Sequence, residues 1–185
     1  MSVVAIFTDK GTYHELAYIW PHSAGWEILP SAYAEAADQL VAAAAGAARD
    51  LLVYPIVFLY RHAIELGLKE LIRAALQVQD DGGGEVPRHH DLAKLWQRAS
   101  ALLTTIAPED SEGGREEVGA IIMELHELDE RGTSFRYDEK IGDKLQGAVN
   151  LREIGKTMQV VLTWLSGGVD MLGEWQSASD HHDGP

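Results

Sequence analysis

The segment at residues 60–71 places charged side chains inside an otherwise apolar run. Arg61 and Glu65 are four residues apart, as are Glu65 and Lys69, and His62 follows Arg61 directly. On an α-helix, which turns about 100° per residue, these four side chains share one stripe. Two cations, a carboxylate and an imidazole could together bind an anion or exchange protons. The stripe faces either water or a site.

Two later segments carry residue types that complement this stripe: "HDL", which begins at His90, and "LDERGTSFRYD". The forked guanidinium of an arginine suits a carboxylate beside apolar surface better than a flexible lysine does. We therefore predict that Glu65 pairs with Arg136, at the edge of a partly buried pocket that also contains His62 or His90. Whether this pair is a structural clamp or binds a ligand stays open, and Asp129 is an alternative partner for Arg136. The predicted polar cluster comprises Arg61, His62, Glu65, Lys69, His90, Asp129, Ser134, Arg136 and Tyr137.

Common catalytic signatures are missing from the sequence. It has no Walker A loop, GxGxxG turn, GxSxG elbow or HExxH helix, so we name no catalytic residue and expect no cofactor. His126 and Glu130 are one turn apart and could hold a metal ion, but alternating acidic residues there are typical of a solvated helix face. We therefore predict no metal site.

The charge balance limits the partners. With 15 Lys and Arg against 29 Asp and Glu, the 185-residue chain has a net charge of −14, which opposes non-specific binding to nucleic acid. The absence of cysteine fits a reducing compartment. The apolar stretch at residues 40–60 carries Arg49 and Asp50 at its middle, so we interpret it as soluble helix and expect a cytoplasmic protein without membrane contact.

Apolar residues at helical spacing predict an all-α fold, an up-and-down bundle of about five helices. A first helix is predicted to start at Pro30 and Ser31; a second either starts near residues 51–55 or continues the first through a bend at Pro55. Only "VVAIF", at residues 3–7, has the composition of a strand. We divide the chain into an irregular segment packing on the bundle (1–30), a helical domain (31–176) and a polar tail (177–185).

The later helices are predicted from their caps. Asp91 caps the third helix and Asn150 the last, while Gly132 ends the fourth. Gly167 and Gly168 should weaken the later turns of the last helix. The predicted core comprises Leu59, Ile64, Leu68, Leu71, Leu95, Trp96, Ile122, Leu125, Val161 and Trp164.

The order of these motifs resembles the HEPN superfamily of small helical domains: "ELGLK" in an apolar helix, a Gly-rich loop, "HDL" opening the next helix, and "FRYD" after the fourth. The likeness covers roughly residues 51–164. Ribonucleases of that family carry an Arg followed after four to six residues by a His, and no arginine here has a His at that distance. The resemblance therefore implies the fold, and the non-catalytic members that bind nucleotides, small ligands or proteins.

Two functions are compatible with these features. The first is a non-enzymatic binding or regulatory module, working as a homodimer, that recognises an anionic, nucleotide-like ligand or a partner protein. The alternative is an unconventional ribonuclease or nucleotide hydrolase of a toxin-antitoxin or defence system, with His62 or His90 as the base and Arg136 stabilising charge. Aromatic residues in irregular or terminal segments, Trp20, Trp26 and Trp175, favour the homodimer.

Overall fold

The described part of the chain is an all-α bundle, as the helical periodicity predicts. The structure is a computed structural model that describes residues 27–46, 49–79, 84–108, 114–132, 134–137 and 148–182. The side chains of residues 136, 137 and 179–182 lie outside this description, and so do "VVAIF", Trp20 and Trp26. The described helices are α1 (Ile28–Ala43), α2 (Arg49–Val78), α3 (Leu92–Ile106), α4 (Arg115–Leu128), the single turn α5 (Ser134–Tyr137) and α6 (Leu151–His182).

Helix α2 is the centre of the bundle. It packs against α1, α3, α5 and α6, while α4 packs on α3 and α6. Its residues Ile56, Tyr60, Ile64, Leu68 and Leu71 are fully buried. By length and composition α2 could cross a membrane, but 56% of its most apolar window is buried inside the bundle, as in the core helix of a soluble protein.

The predicted core is confirmed for seven of its ten residues. Ile64, Leu68, Leu71, Leu95, Ile122, Leu125 and Val161 are buried. Leu59, Trp96 and Trp164 are partly buried and pack against this core. The two indoles meet edge to face with ring centroids 5.6 Å apart, which joins α3 to α6.

The first two helices are separate rather than one bent helix. α1 ends at Ala43, Gly46 takes a positive φ of 59°, and α2 begins at Arg49, so these are separate helices. Pro55 lies inside α2, in its second turn. α1 begins at Ile28, two residues earlier than its Pro30-Ser31 signal predicts.

The predicted caps of α3 and α6 are confirmed. The Asp91 side chain accepts a hydrogen bond from the Lys94 amide at 3.1 Å, and the Asn150 side chain accepts one from the Arg152 amide at 3.1 Å. α6 continues through Gly167 and Gly168 to His182.

The predicted end of α4 at Gly132 is wrong. The helix ends at Leu128, because Asp129 leaves the helical conformation (φ −144°, ψ 73°). The Asp129 amide still bonds to the carbonyl oxygens of Leu125 and His126, while its carboxylate turns inward.

Candidate functional site: a buried ion cluster

The charged stripe of α2 faces the protein interior. Arg61 and Glu65 are each 2% exposed, and the Lys69 side chain is 12% exposed. An α-helix brings residues four apart onto one face, so the sequence fixes this alignment locally. The sequence left open whether this stripe faces water or a site, and the burial of these side chains shows that it does not face water.

Arg61 is the central cation of the cluster. Its Nη1 donates to Glu65 Oε2 at 3.3 Å, and its Nη2 donates to the His90 carbonyl at 2.8 Å. Both Nε and Nη2 donate to the Asp129 carbonyl, at 3.3 and 3.1 Å, and Nε lies 3.3 Å from Asp129 Oδ2. One guanidinium thus joins α2 to the loop before α3 and to the chain after α4.

Glu65 is held by three positively charged or titratable groups. Its Oε1 accepts from Lys69 Nζ at 2.8 Å and lies 2.7 Å from His90 Nδ1, while Oε2 accepts from Arg61. Burial would raise the pKa of Glu65, but the hydrogen bonds from Lys69 and His90 outweigh it and hold this pKa below its ordinary value of 4.5. Glu65 is therefore an ionised, fully engaged carboxylate at neutral pH.

Asp129 anchors the turn between α4 and α5. Its side chain is fully buried, and Oδ1 accepts a hydrogen bond from the Ser134 amide at 2.9 Å. Gly132, between these residues, has a φ of 70°, and a Cβ built on it would lie 2.8 Å from Arg61 Nη1. Only glycine fits this close approach without strain.

His62 packs beside the cluster without an ion pair to it in the described contacts. Its ring meets Tyr33 edge to face at 4.5 Å between centroids and stacks on Phe58 at 6.0 Å. Burial lowers the pKa of His62, with smaller and opposing effects of Glu65 and Lys69. Of the two histidines predicted at the pocket, His90 is the one that contacts Glu65.

The predicted pairing of Glu65 with Arg136 stays a prediction. The Arg136 and Tyr137 side chains lie outside the described residues, although their backbone forms α5 beside α2. Among the described residues, Arg61 pairs with both Glu65 and Asp129. The sequence analysis did not predict that Arg61 is the central cation, nor that Gly132 lies against its guanidinium. The signal that could have indicated the role of Arg61 is an arginine on an apolar helix, four residues before a glutamate.

The cluster is nearly neutral in charge. The formal charges of Arg61 and Lys69 offset those of Glu65 and Asp129. The Arg61 donors face protein acceptors, and the exposed edge of the cluster is the His90 ring, whose side chain is 64% exposed. Within the described ranges, no three His, Asp or Glu residues are arranged to hold a metal ion.

The chain gives no match to any protein-family model, to any curated protein or to any solved structure with which it was compared. The likeness to the HEPN superfamily therefore rests on the sequence motifs quoted above.

Proposed function

We propose that this chain is a non-enzymatic, HEPN-like binding module of the cytoplasm that works as a homodimer and recognises a partner protein. The observation that supports it is the engagement of the Arg61 guanidinium by Glu65, Asp129 and two backbone carbonyls at 2% exposure. An anionic ligand would have to displace these acceptors, and losing a buried pair is costly. We therefore prefer a protein partner to a nucleotide-like ligand.

The ion cluster serves such a module by fixing two connecting segments. Arg61 holds the His90 carbonyl before α3 and the Asp129 carbonyl after α4, so both loops keep one position relative to α2. Partners recognise loop surfaces that a rigid scaffold holds in place. The His90 ring is exposed at the edge of this surface, where a partner can reach it.

A hydrolase is the second candidate, and one contact favours it. His90 Nδ1 lies 2.7 Å from Glu65 Oε1, an arrangement in which a carboxylate orients an imidazole and leaves Nε2 as a base. The acidic surface and the internal use of Arg61 oppose binding of RNA.

The experiment compares wild type with His90→Ala and Lys69→Ala. Purified chain is incubated with pooled RNA and with ATP, and binding of AMP and ATP is followed by titration calorimetry. We expect no cleavage and no saturable heat. Cleavage that His90→Ala abolishes would establish the hydrolase, and saturable binding that Lys69→Ala abolishes would establish the nucleotide ligand.

The protein partner is tested directly by site-specific photo-crosslinking in cells that make the chain. A photoreactive residue in place of Arg88, on the loop beside His90, should capture one defined protein. The same residue in place of Lys156, on the exposed side of α6, is the matched control and should not. Equal capture from both positions, or none from either, would contradict a partner at this loop.

A further inference from the structure

A shallow groove runs between α3 and α4 on the surface of the bundle. Its volume is about 730 Å³, and it is lined mainly by Ala93, Trp96, Gln97, Ala101 and Met123. Met123 is 38% exposed at its edge. Small residues on both helices, Ala101 of α3 and Ala120 of α4, allow another helix to approach closely, so the face is shaped for helix packing.

The two helices that flank this groove carry opposite charges. α3 has Lys94 and Arg98 and no acidic residue, whereas α4 has four glutamates, Glu116, Glu117, Glu124 and Glu127, against one arginine, Arg115. Arg98, Glu117 and Glu124 are exposed. One copy of this face is therefore complementary in charge to a second copy, provided that α3 of one packs on α4 of the other.

Symmetry permits that arrangement in one orientation. A two-fold axis lying in the face and parallel to the helices places α3 over α4 of the second copy, whereas an axis across them places α3 over α3. Like charges would meet in the second case. The complementary charges select the first.

The register follows from contacts inside one chain. α3 and α4 run antiparallel, with His126 Nδ1 3.7 Å from Asp91 Oδ1 near one end and Arg115 Nη2 bonded to the Ala107 carbonyl at 3.1 Å at the other. A two-fold axis parallel to the helices leaves each residue at the same position along the helix direction in both copies. It brings Lys94 near Glu124 of the second copy, and Arg98 near Glu117.

We propose that the α3–α4 face is the homodimer interface and that its occupant is the same face of a second copy. The proposal takes from the proposed function only that the chain pairs with itself. Helices of 15 and 14 residues are about 22 Å long, so the face offers about 450 Å² per copy. Standard interfaces bury about 800 Å² per partner, so we expect a weak dimer with a Kd of about 10–100 µM.

The test is a charge exchange measured by sedimentation equilibrium at one ionic strength, with chain concentrations from about 5 to 500 µM, a range that spans the expected Kd. The first variant is Lys94→Glu/Arg98→Glu and the second is Glu117→Lys/Glu124→Lys. Each alone should place like charges across the interface and weaken self-association at least about tenfold, the equivalent of 1.4 kcal/mol. Mixed in equal amounts, they should recover a heterodimer, because both sets of contacts are then opposite in sign.

The second variant excludes stronger overall repulsion between the chains as the cause of weaker pairing. It makes the chain four charges less negative, which lowers repulsion between whole molecules that each carry −14. Weaker pairing in that variant can therefore come only from local contacts. All four substituted positions are exposed, so the far-UV circular dichroism of both variants should match wild type.

The outcomes separate this interface from the proposed function. A wild-type dimer that both variants leave unchanged, or a mixture that fails to recover, overturns this interface and leaves the homodimer in place. A wild-type chain that stays monomeric at 500 µM, above the expected Kd range, overturns both. The face would then be available to a different protein or to another segment of the chain.

Discussion

The Arg61 side chain contacts both the backbone and the side chain of Asp129: Arg61 Nε lies 3.3 Å from the Asp129 carbonyl oxygen and 3.3 Å from Asp129 Oδ2. The two residues are 68 positions apart in the chain. This double contact links the middle of α2 to the end of α4. Both side chains are almost completely buried. If one of them is removed, water therefore does not take its place as a partner for the other.

Replacing Arg61 by alanine should therefore lower the free energy of unfolding by about 3–5 kcal/mol, because it leaves Glu65 and Asp129 buried without their cation. Urea denaturation followed by circular dichroism measures this. Arg49→Ala is the control, since Arg49 is exposed and bonds only to the Gly46 carbonyl among its described contacts; its effect should stay within about 0.5 kcal/mol. A loss below about 1 kcal/mol for Arg61→Ala would mean that the cluster is not a structural clamp.

Gly132→Ala should destabilise the chain by about 1–3 kcal/mol, because its φ of 70° strains an alanine and its Cβ would press on Arg61. Gly167→Ala is a matched substitution in the middle of α6, where a Cβ meets nothing within 4 Å. It should stabilise the chain by about 0.5–1 kcal/mol, the helix preference of alanine over glycine. Thermal unfolding of both variants tests the pair, and equal shifts in the same direction would refute the close approach.

Glu65→Gln should be most destabilising at neutral pH. The pKa of Glu65 is depressed in the folded chain, so its contribution is complete above the ordinary value of 4.5 and is lost as pH falls through the lower folded value. The difference in unfolding free energy between wild type and variant should be about 3 kcal/mol at pH 7 and shrink below pH 4.5. Urea titrations from neutral to acidic pH measure it, and a difference that does not change with pH would argue against an ionised Glu65.

His62 should act in a different pH range and through a different cause. Burial against Tyr33 and Phe58 lowers its pKa below the ordinary 6.5, so the unfolded chain binds the proton more readily. Its contribution to stability should fall as pH drops through 6.5. The unfolding free energy of His62→Gln should fall less than that of wild type over this range. Parallel curves for the two proteins would show that His62 is not desolvated.

The sequence predicts the parts of the cluster that local geometry controls. Arg61, Glu65 and Lys69 align because residues four apart always share a helix face, and Asp91 and Asn150 cap helices because their side chains reach amides two or three residues ahead. The same local rules account for the all-α fold and for most of the predicted core.

Tertiary structure alone decided which groups meet the stripe. His90 and Asp129 reach Glu65 and Arg61 through the paths of two loops, and the turn at Gly132 brings the backbone against the guanidinium. Such contacts depend on how the helices pack, which helical periodicity does not encode. The sequence therefore determined that the Glu65 carboxylate needs a cation and has Arg61 one helical turn away, because ionised groups are costly to bury alone. Packing decided that this pair is buried and that Asp129 and His90 meet it.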